Sequence, residues 1–164
     1  MDGSVEEALQ GIQTVFGGNK KAAVQEYFAL QREMLHCGGF TIWGHPDLVW
    51  KLNPQLQWFN SSDSWYLNEL KATAQEAAYA AQNEGIIVEI NTGGMARGKL
   101  TQPYPALPFL ELLCAAGVPA TYSSDCHSAL HIGFGYELAL EHARRAGYTE
   151  LAYLKDGSIC FQHI

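Results

Sequence analysis

No run of about 18 consecutive apolar residues occurs in the chain, so no membrane-spanning helix is expected. The N-terminus has no charged region followed by an apolar stretch, so no secretory signal is read there. Cysteine is sparse and scattered. Cys37, Cys114, Cys126 and Cys160 form no C-x-x-C pair and fit no zinc-knuckle spacing. Isolated cysteines of this kind suit a reducing cytosol, and a cytoplasmic location is expected. Charge is also thin, at 16% of residues, and basic side chains are the rarer sign: 10 Lys and Arg against 17 Asp and Glu, a net charge of -7. An acidic surface repels phosphate backbones, so neither nucleic acid nor membrane is expected as a partner. A phosphorylated small molecule would need a local positive site. The chain also lacks internal repeats, low-complexity tracts, a phosphate-binding glycine loop and a nucleophile elbow.

Apolar residues, by contrast, are plentiful: 48% of the 164 residues are hydrophobic and 12% aromatic. That is enough for one buried core, so residues 1–164 are expected to form a single domain. Ser4 followed by Glu7 is a capping box for a first helix that ends at Gly17-Gly18. Asn19 caps a second helix, from Lys20 to about His36. Phe40 to Trp43 is a short β-prone run. A polar, turn-rich stretch extends from Asn53 to Asp63. Ser62 or Asp63 then caps a long Ala-rich helix reaching Asn83. Ile86 to Asn91 is a nearly continuous apolar strand, of the kind buried on both faces of a parallel sheet. A loop over 92–105 leads to a helix from Ala106 to Ala116, a strand from Val118 to Ser124 and a helix from Tyr136 to Ala146. Leu151–Leu154 and Ile159–Phe161 flank a Lys-Asp-Gly turn, which signals a hairpin. Alternating helices and strands predict an α/β fold with parallel strands.

Three of these strands end in polar clusters: Gly44-His45-Pro46-Asp47, then Glu89 with Asn91-Thr92-Gly93-Gly94, then Ser123-Ser124-Asp125-Cys126-His127. Ligand sites of parallel α/β folds lie at the C-terminal ends of the strands, so the three clusters should converge. Imidazole and carboxylate together suit zinc, iron or manganese, which would polarise a phosphoryl oxygen and supply hydroxide near neutral pH. His45 by itself fits either a hydrogen-bonded core histidine or a ligand. Asp125 fits a turn cap and His127 an exposed loop imidazole equally well. Glu89 is harder to place without a function, because a buried carboxylate needs a cation, a metal or several donors. Of the other histidines, His36 suits a helix C-terminus, His142 a charged helix face and His163 a frayed chain end.

Gly44-His45-Pro46-Asp47-Leu48, Val88-Glu89-Ile90-Asn91-Thr92-Gly93-Gly94 and Ser124-Asp125-Cys126-His127 resemble three successive motifs of the PHP (polymerase and histidinol phosphatase) family, in the family's order. Tyr104-Pro105 with Phe109-Leu110, and His131-Ile132-Gly133-Phe134-Gly135, are similar to two further family segments. The resemblance is closest to the C-terminal part of histidinol-phosphate phosphatases and covers nearly the whole chain. It implies a partial, distorted (β/α)7 TIM-like barrel that lacks its N-terminal strands. It implies a metal-dependent phosphomonoesterase that hydrolyses L-histidinol phosphate, with up to three divalent ions (Zn, Mn or Fe) in the intact family site. His45, Asp125 and His127 then correspond to metal ligands. Asp125 and His127 also correspond to catalytic groups, and Glu89 and Asp47 to supporting residues around them. Asn91 lines the substrate site, and Lys51 and Arg97 sit where basic residues approach the substrate phosphate. Arg is typical at the first of these positions, so Lys51 keeps the charge but loses the bidentate fork.

The family's opening strand carries His-x-His, and this chain has no such pair. Each ion would therefore keep about one ligand from this chain, where a zinc site normally has three or four. The remaining barrel would be open, with unpaired strand edges and uncovered apolar side chains. Two consequences are expected. The site binds metal poorly unless another polypeptide completes it, and the chain self-associates across the open side. A non-catalytic, PHP-derived binding module is the alternative.

Overall fold

In the computed structural model, which describes residues 3–164, the first two helices are α1 (Val5–Phe16) and α2 (Lys20–Cys37). The Ser4 capping box forms: Glu7 N–H donates to Ser4 Oγ at 3.2 Å and Ser4 N–H to Glu7 Oε2 at 2.7 Å. Gly17 ends α1 at φ 59°, and Asn19 caps α2 by accepting from Ala22 N–H at 3.0 Å. Met1 and Asp2 lie outside the described residues.

The strand expected over residues 40–43 shortens to β1 (Ile42–Trp43). The stretch expected to be turns is partly helical, with a 3-10 turn at Leu48–Lys51 and then α3 (Asn53–Leu56). Asn53 organises it, accepting from Trp58 and Phe59 N–H and donating to the Phe59 carbonyl. Trp58 and Phe59 are thereby turned inward and buried. Helix α4 (Ser64–Glu84) begins after Asp63, whose carboxylate does not cap it. Asp63 Oδ2 accepts instead from Asn60 N–H at 3.0 Å and Trp65 Nε1–H at 3.1 Å.

Next come β2 (Ile87–Asn91), the single turn α5 (Gly93–Ala96), α6 (Leu107–Ala115), β3 (Ala120–Ser123) and a 3-10 turn at Ala129–His131. The chain closes with α7 (Tyr136–Ala146), β4 (Glu150–Lys155) and β5 (Ser158–His163). The first three strands form one parallel sheet in the order β1-β2-β3, with Trp43 opposite Val88 and Asn91 opposite Ser123. β4 and β5 form a separate antiparallel hairpin around Asp156 (φ 50°) and Gly157 (φ 78°), the left-handed pair that a two-residue turn requires. Among the described residues the molecule is thus mixed α/β with a small parallel sheet, and the strands close no barrel.

Strand alternation sorts the sheet's side chains. Trp43, Val88, Ile90 and Ala120 join a core with Phe28, Tyr66, Ala77 and Phe109 from the helices. Phe109 meets both Phe28 and Trp43 edge-on, each at 6.1 Å between ring centroids. Glu89 and Asn91 alternate to the other face. Two histidine expectations need correction. His142 is buried, 4% exposed, with Nε2 at 2.8 Å from the Pro105 carbonyl, because its position on α7 faces the loop before α6 and not the charged side. His163 is paired opposite Glu150 in the hairpin and is not frayed. Among the described residues no helix is long and apolar enough to cross a membrane.

Candidate functional site

Parallel pairing places the C-terminal ends of β1, β2 and β3 side by side, and the three polar clusters meet there. They line a cleft of about 320 Å³ whose wall includes His45, Lys51, Arg97, Lys99, Tyr104, Asp125 and His127. His45 and Asp125 each stand two residues past the end of a strand, at φ 50° and φ 42°. Left-handed backbone at non-glycine residues costs about 1 kcal/mol or more, and the surrounding contacts must hold it. Those contacts are visible. Glu89 Oε2 accepts the His45 backbone N–H at 3.2 Å, the Tyr27 hydroxyl donates to the His45 carbonyl at 2.9 Å, and Asp125 N–H donates to Ser123 Oγ at 3.1 Å.

Asp125 is the centre of the arrangement. Its Oδ2 lies 3.2 Å from His45 Nε2, and its Oδ1 lies 3.3 Å from His127 Nε2. Arg97 donates through Nη2 to Oδ2 at 2.8 Å and through Nη1 to the Asp125 carbonyl at 2.9 Å. Burial alone would raise the Asp125 carboxyl, but the bonds and charges of Arg97 and His45 overcome it and hold the group at about 2. Gly93 makes room for this pair. A Cβ there would come within 2.7 Å of Asp125 Oδ2 and 3.0 Å of Arg97 Nη1.

Asn91 is locked in orientation. Its Oδ1 accepts from Gly93 N–H at 2.8 Å, which points Nδ2 at Glu89 Oε2 and at His45 Nε2, 3.0 Å from each. A neutral His45 Nε2 can therefore accept from Asn91 or donate to Asp125, but not both. Glu89, buried as expected, accepts from Asn91 and from the His45 backbone, so its carboxylate steadies the histidine and does not face open cleft. Asp47 differs from the expected supporting role. Its Oδ2 accepts from Ala106 N–H at 2.7 Å beneath the site, and among the described residues it bonds to none of His45, Asp125 or His127. Its Oδ1 has no hydrogen-bond partner there, and burial pushes its carboxyl up to about 7 against the pull of the Ala106 amide.

Lys51 and Arg97 both reach the cleft, as the sequence suggests. Lys99 and Tyr104 also line it, and neither had been singled out for the site. The loop after β2 turns back so that Asn91 and Tyr104 exchange backbone hydrogen bonds of 2.9 and 3.0 Å, carrying Arg97, Lys99 and Tyr104 to the mouth of the cleft. Only the repeated basic residues within a Gly- and Pro-containing loop hinted at this in the sequence.

The donor chemistry can be tested against a divalent ion. Imidazoles and a carboxylate are suitable ligands, and separations of 3.2–3.3 Å resemble the spacing of two ligands on one ion. Yet His45 pairs with one Asp125 oxygen and His127 with the other, so the residues supply pairs and no triad. Among the described residues no group of three or more His, Cys, Asp or Glu side chains is arranged to hold an ion. Arg97 also covers Oδ2, and Asn91 faces Nε2 of His45. The residues present do not by themselves fit a resident metal.

No protein-family model matches the chain. No curated protein matches it either.

Proposed function

We propose that the cleft is a phosphate-monoester site of the PHP type, on a partial barrel of that fold, with L-histidinol phosphate as the ester hydrolysed to L-histidinol and phosphate. One observation carries the reading. Asp125 gathers His45, His127 and Arg97 within hydrogen-bond reach at the ends of parallel strands, and Lys51 and Lys99 line the same cleft. In an acidic chain this is a local positive site of the kind a phosphate requires.

In this reading Arg97 and the two lysines bind the phosphoryl oxygens and offset charge that builds on them. Glu89 and Asn91 fix His45. Asp125, held ionised, orients the two imidazoles and the guanidinium. His127, 71% exposed in its side chain, is the group placed to pass a proton to the leaving alkoxide. Divalent ions belong to the chemistry of the family that the sequence resembles. They would need donors beyond His45, Asp125 and His127.

The test is phosphate release from L-histidinol phosphate with manganese or zinc added. Asp125→Ala and His127→Ala are each expected to lower it by about two orders of magnitude. Release that survives both substitutions sinks the reading. The second reading is a non-catalytic binding module, favoured by the pairwise donors and by the cover of Arg97 over Asp125. Metal analysis separates the two, since a binding module carries no stoichiometric transition metal.

A further inference from the structure

We infer that this cleft binds a phosphate dianion without a divalent cation, the Arg97 guanidinium standing against Asp125 as the permanent positive charge. The inference rests on the phosphate-ester reading of the cleft and deepens it, because it makes anion binding independent of metal.

The geometry carries it in three steps. First, Arg97 spends two of its five N–H donors on Asp125, one on the carbonyl and one on Oδ2. Its side chain remains 34% exposed on the cleft wall, so the remaining three donors are available to a ligand in the cleft. Second, the acidic groups at the site are already engaged. Asp125 is paired with Arg97, and Glu89 accepts from the His45 backbone and from Asn91. Lys51 and Lys99 complete the wall, so three of the chain's 10 Lys and Arg residues meet in one cleft of a protein with a net charge of -7. Third, the pair is built in. Gly93 leaves just the space that Asp125 and Arg97 fill, and a two-point hold on Arg97 limits the rotamer entropy lost when an anion arrives.

A planar guanidinium that bonds a carboxylate on one edge and an oxyanion on the other is ordinary arginine chemistry. A metal-dependent site behaves in the opposite way. There Asp125 would be the essential anion that holds the cation, and its removal would abolish phosphate binding.

The experiment is calorimetric titration of the full chain with inorganic phosphate at pH 8 in the presence of EDTA. Near-ultraviolet circular dichroism of each variant verifies folding. Binding is expected in EDTA, weakened about tenfold or more by Arg97→Gln and partly restored by Arg97→Lys. Asp125→Asn is expected to leave binding unchanged or to tighten it, because it removes a negative charge beside the anion. Binding seen only after manganese is added, or abolished by Asp125→Asn in a folded protein, overturns the inference. So does binding that is indifferent to Arg97→Gln. The phosphatase reading fails separately. Phosphate bound in EDTA with no hydrolysis under any metal supports the inference and removes the enzyme. Metal-dependent hydrolysis without binding in EDTA does the reverse.

Discussion

Asp47 holds its carboxyl without exposure to solvent, with one oxygen bonded to Ala106 N–H and the other unpartnered among the described residues. Burial raises it to about 7 from a model value of 3.8. The folded state thus binds a proton more tightly than the unfolded state, and stability falls as pH rises between these values. The expected loss from pH 5 to pH 8 is about 2 kcal/mol. Asp47→Asn should flatten that slope in urea denaturation at the two pH values, and an unchanged slope would show that the carboxyl is not the source. Asp125 has the opposite sign. Its contribution is present above the unfolded value and is lost as pH falls through about 2. Arg97→Gln should move the Asp125 carboxyl resonance to titrate at higher pH in NMR. His142 is kept neutral by burial, with the Pro105 carbonyl as its partner. Its lowered value means that stability drops as pH falls below the ordinary imidazole range. His142→Ala should cost about 1–3 kcal/mol by leaving a buried carbonyl unpaired, read as a shift of the denaturation midpoint.

Short elements hold the site more than long ones do. The single turn α5 begins at Gly93, and the space beside that residue is filled by Arg97 and Asp125. Gly93→Ala should therefore separate the guanidinium from the carboxylate and weaken phosphate binding while leaving the helical circular dichroism unchanged. If binding is native-like in Gly93→Ala, the close approach does not matter. Loop 92–105 follows the same rule, since its return to Asn91 through Tyr104 is what delivers Arg97 and Lys99. Long helices are the robust parts. Removing the α1 cap by Ser4→Ala should cost about 1 kcal/mol at most and leave the cleft untouched.

At the scale of the whole molecule, the parallel sheet is short and its margin is open. β1 pairs with β2 alone among the described residues, and Ile42 is 42% exposed on it. Tyr153, Leu154 and Phe161 of the hairpin, with Tyr136 and Leu138 of α7, also present apolar surface. Contiguous exposed apolar surface favours association, so concentration-dependent mass is expected in light scattering coupled to size exclusion. A monomer at all accessible concentrations would oppose that expectation.

Most of the element plan was legible because caps, glycine stops and apolar periodicity act locally: Ser4 with Glu7, Asn19, Gly85 and the run Ile87–Ile90 each declared an element boundary or a strand. The convergence of His45, Glu89, Asn91, Asp125 and His127 followed from strand polarity alone. Chain-distant partnerships were not legible. Nothing near Asp63 announces that its carboxylate serves Asn60 and Trp65, and nothing near His142 announces the Pro105 carbonyl. The sequence thus determined which residues reach the strand ends, since alternation and turn chemistry depend on neighbours along the chain. Only the tertiary structure decided that Arg97 would cover Asp125 and that Asp47 would face Ala106. Those pairings depend on how a loop and a helix return to the sheet, and hydrogen bonds and desolvation act across space between residues that sequence order leaves far apart.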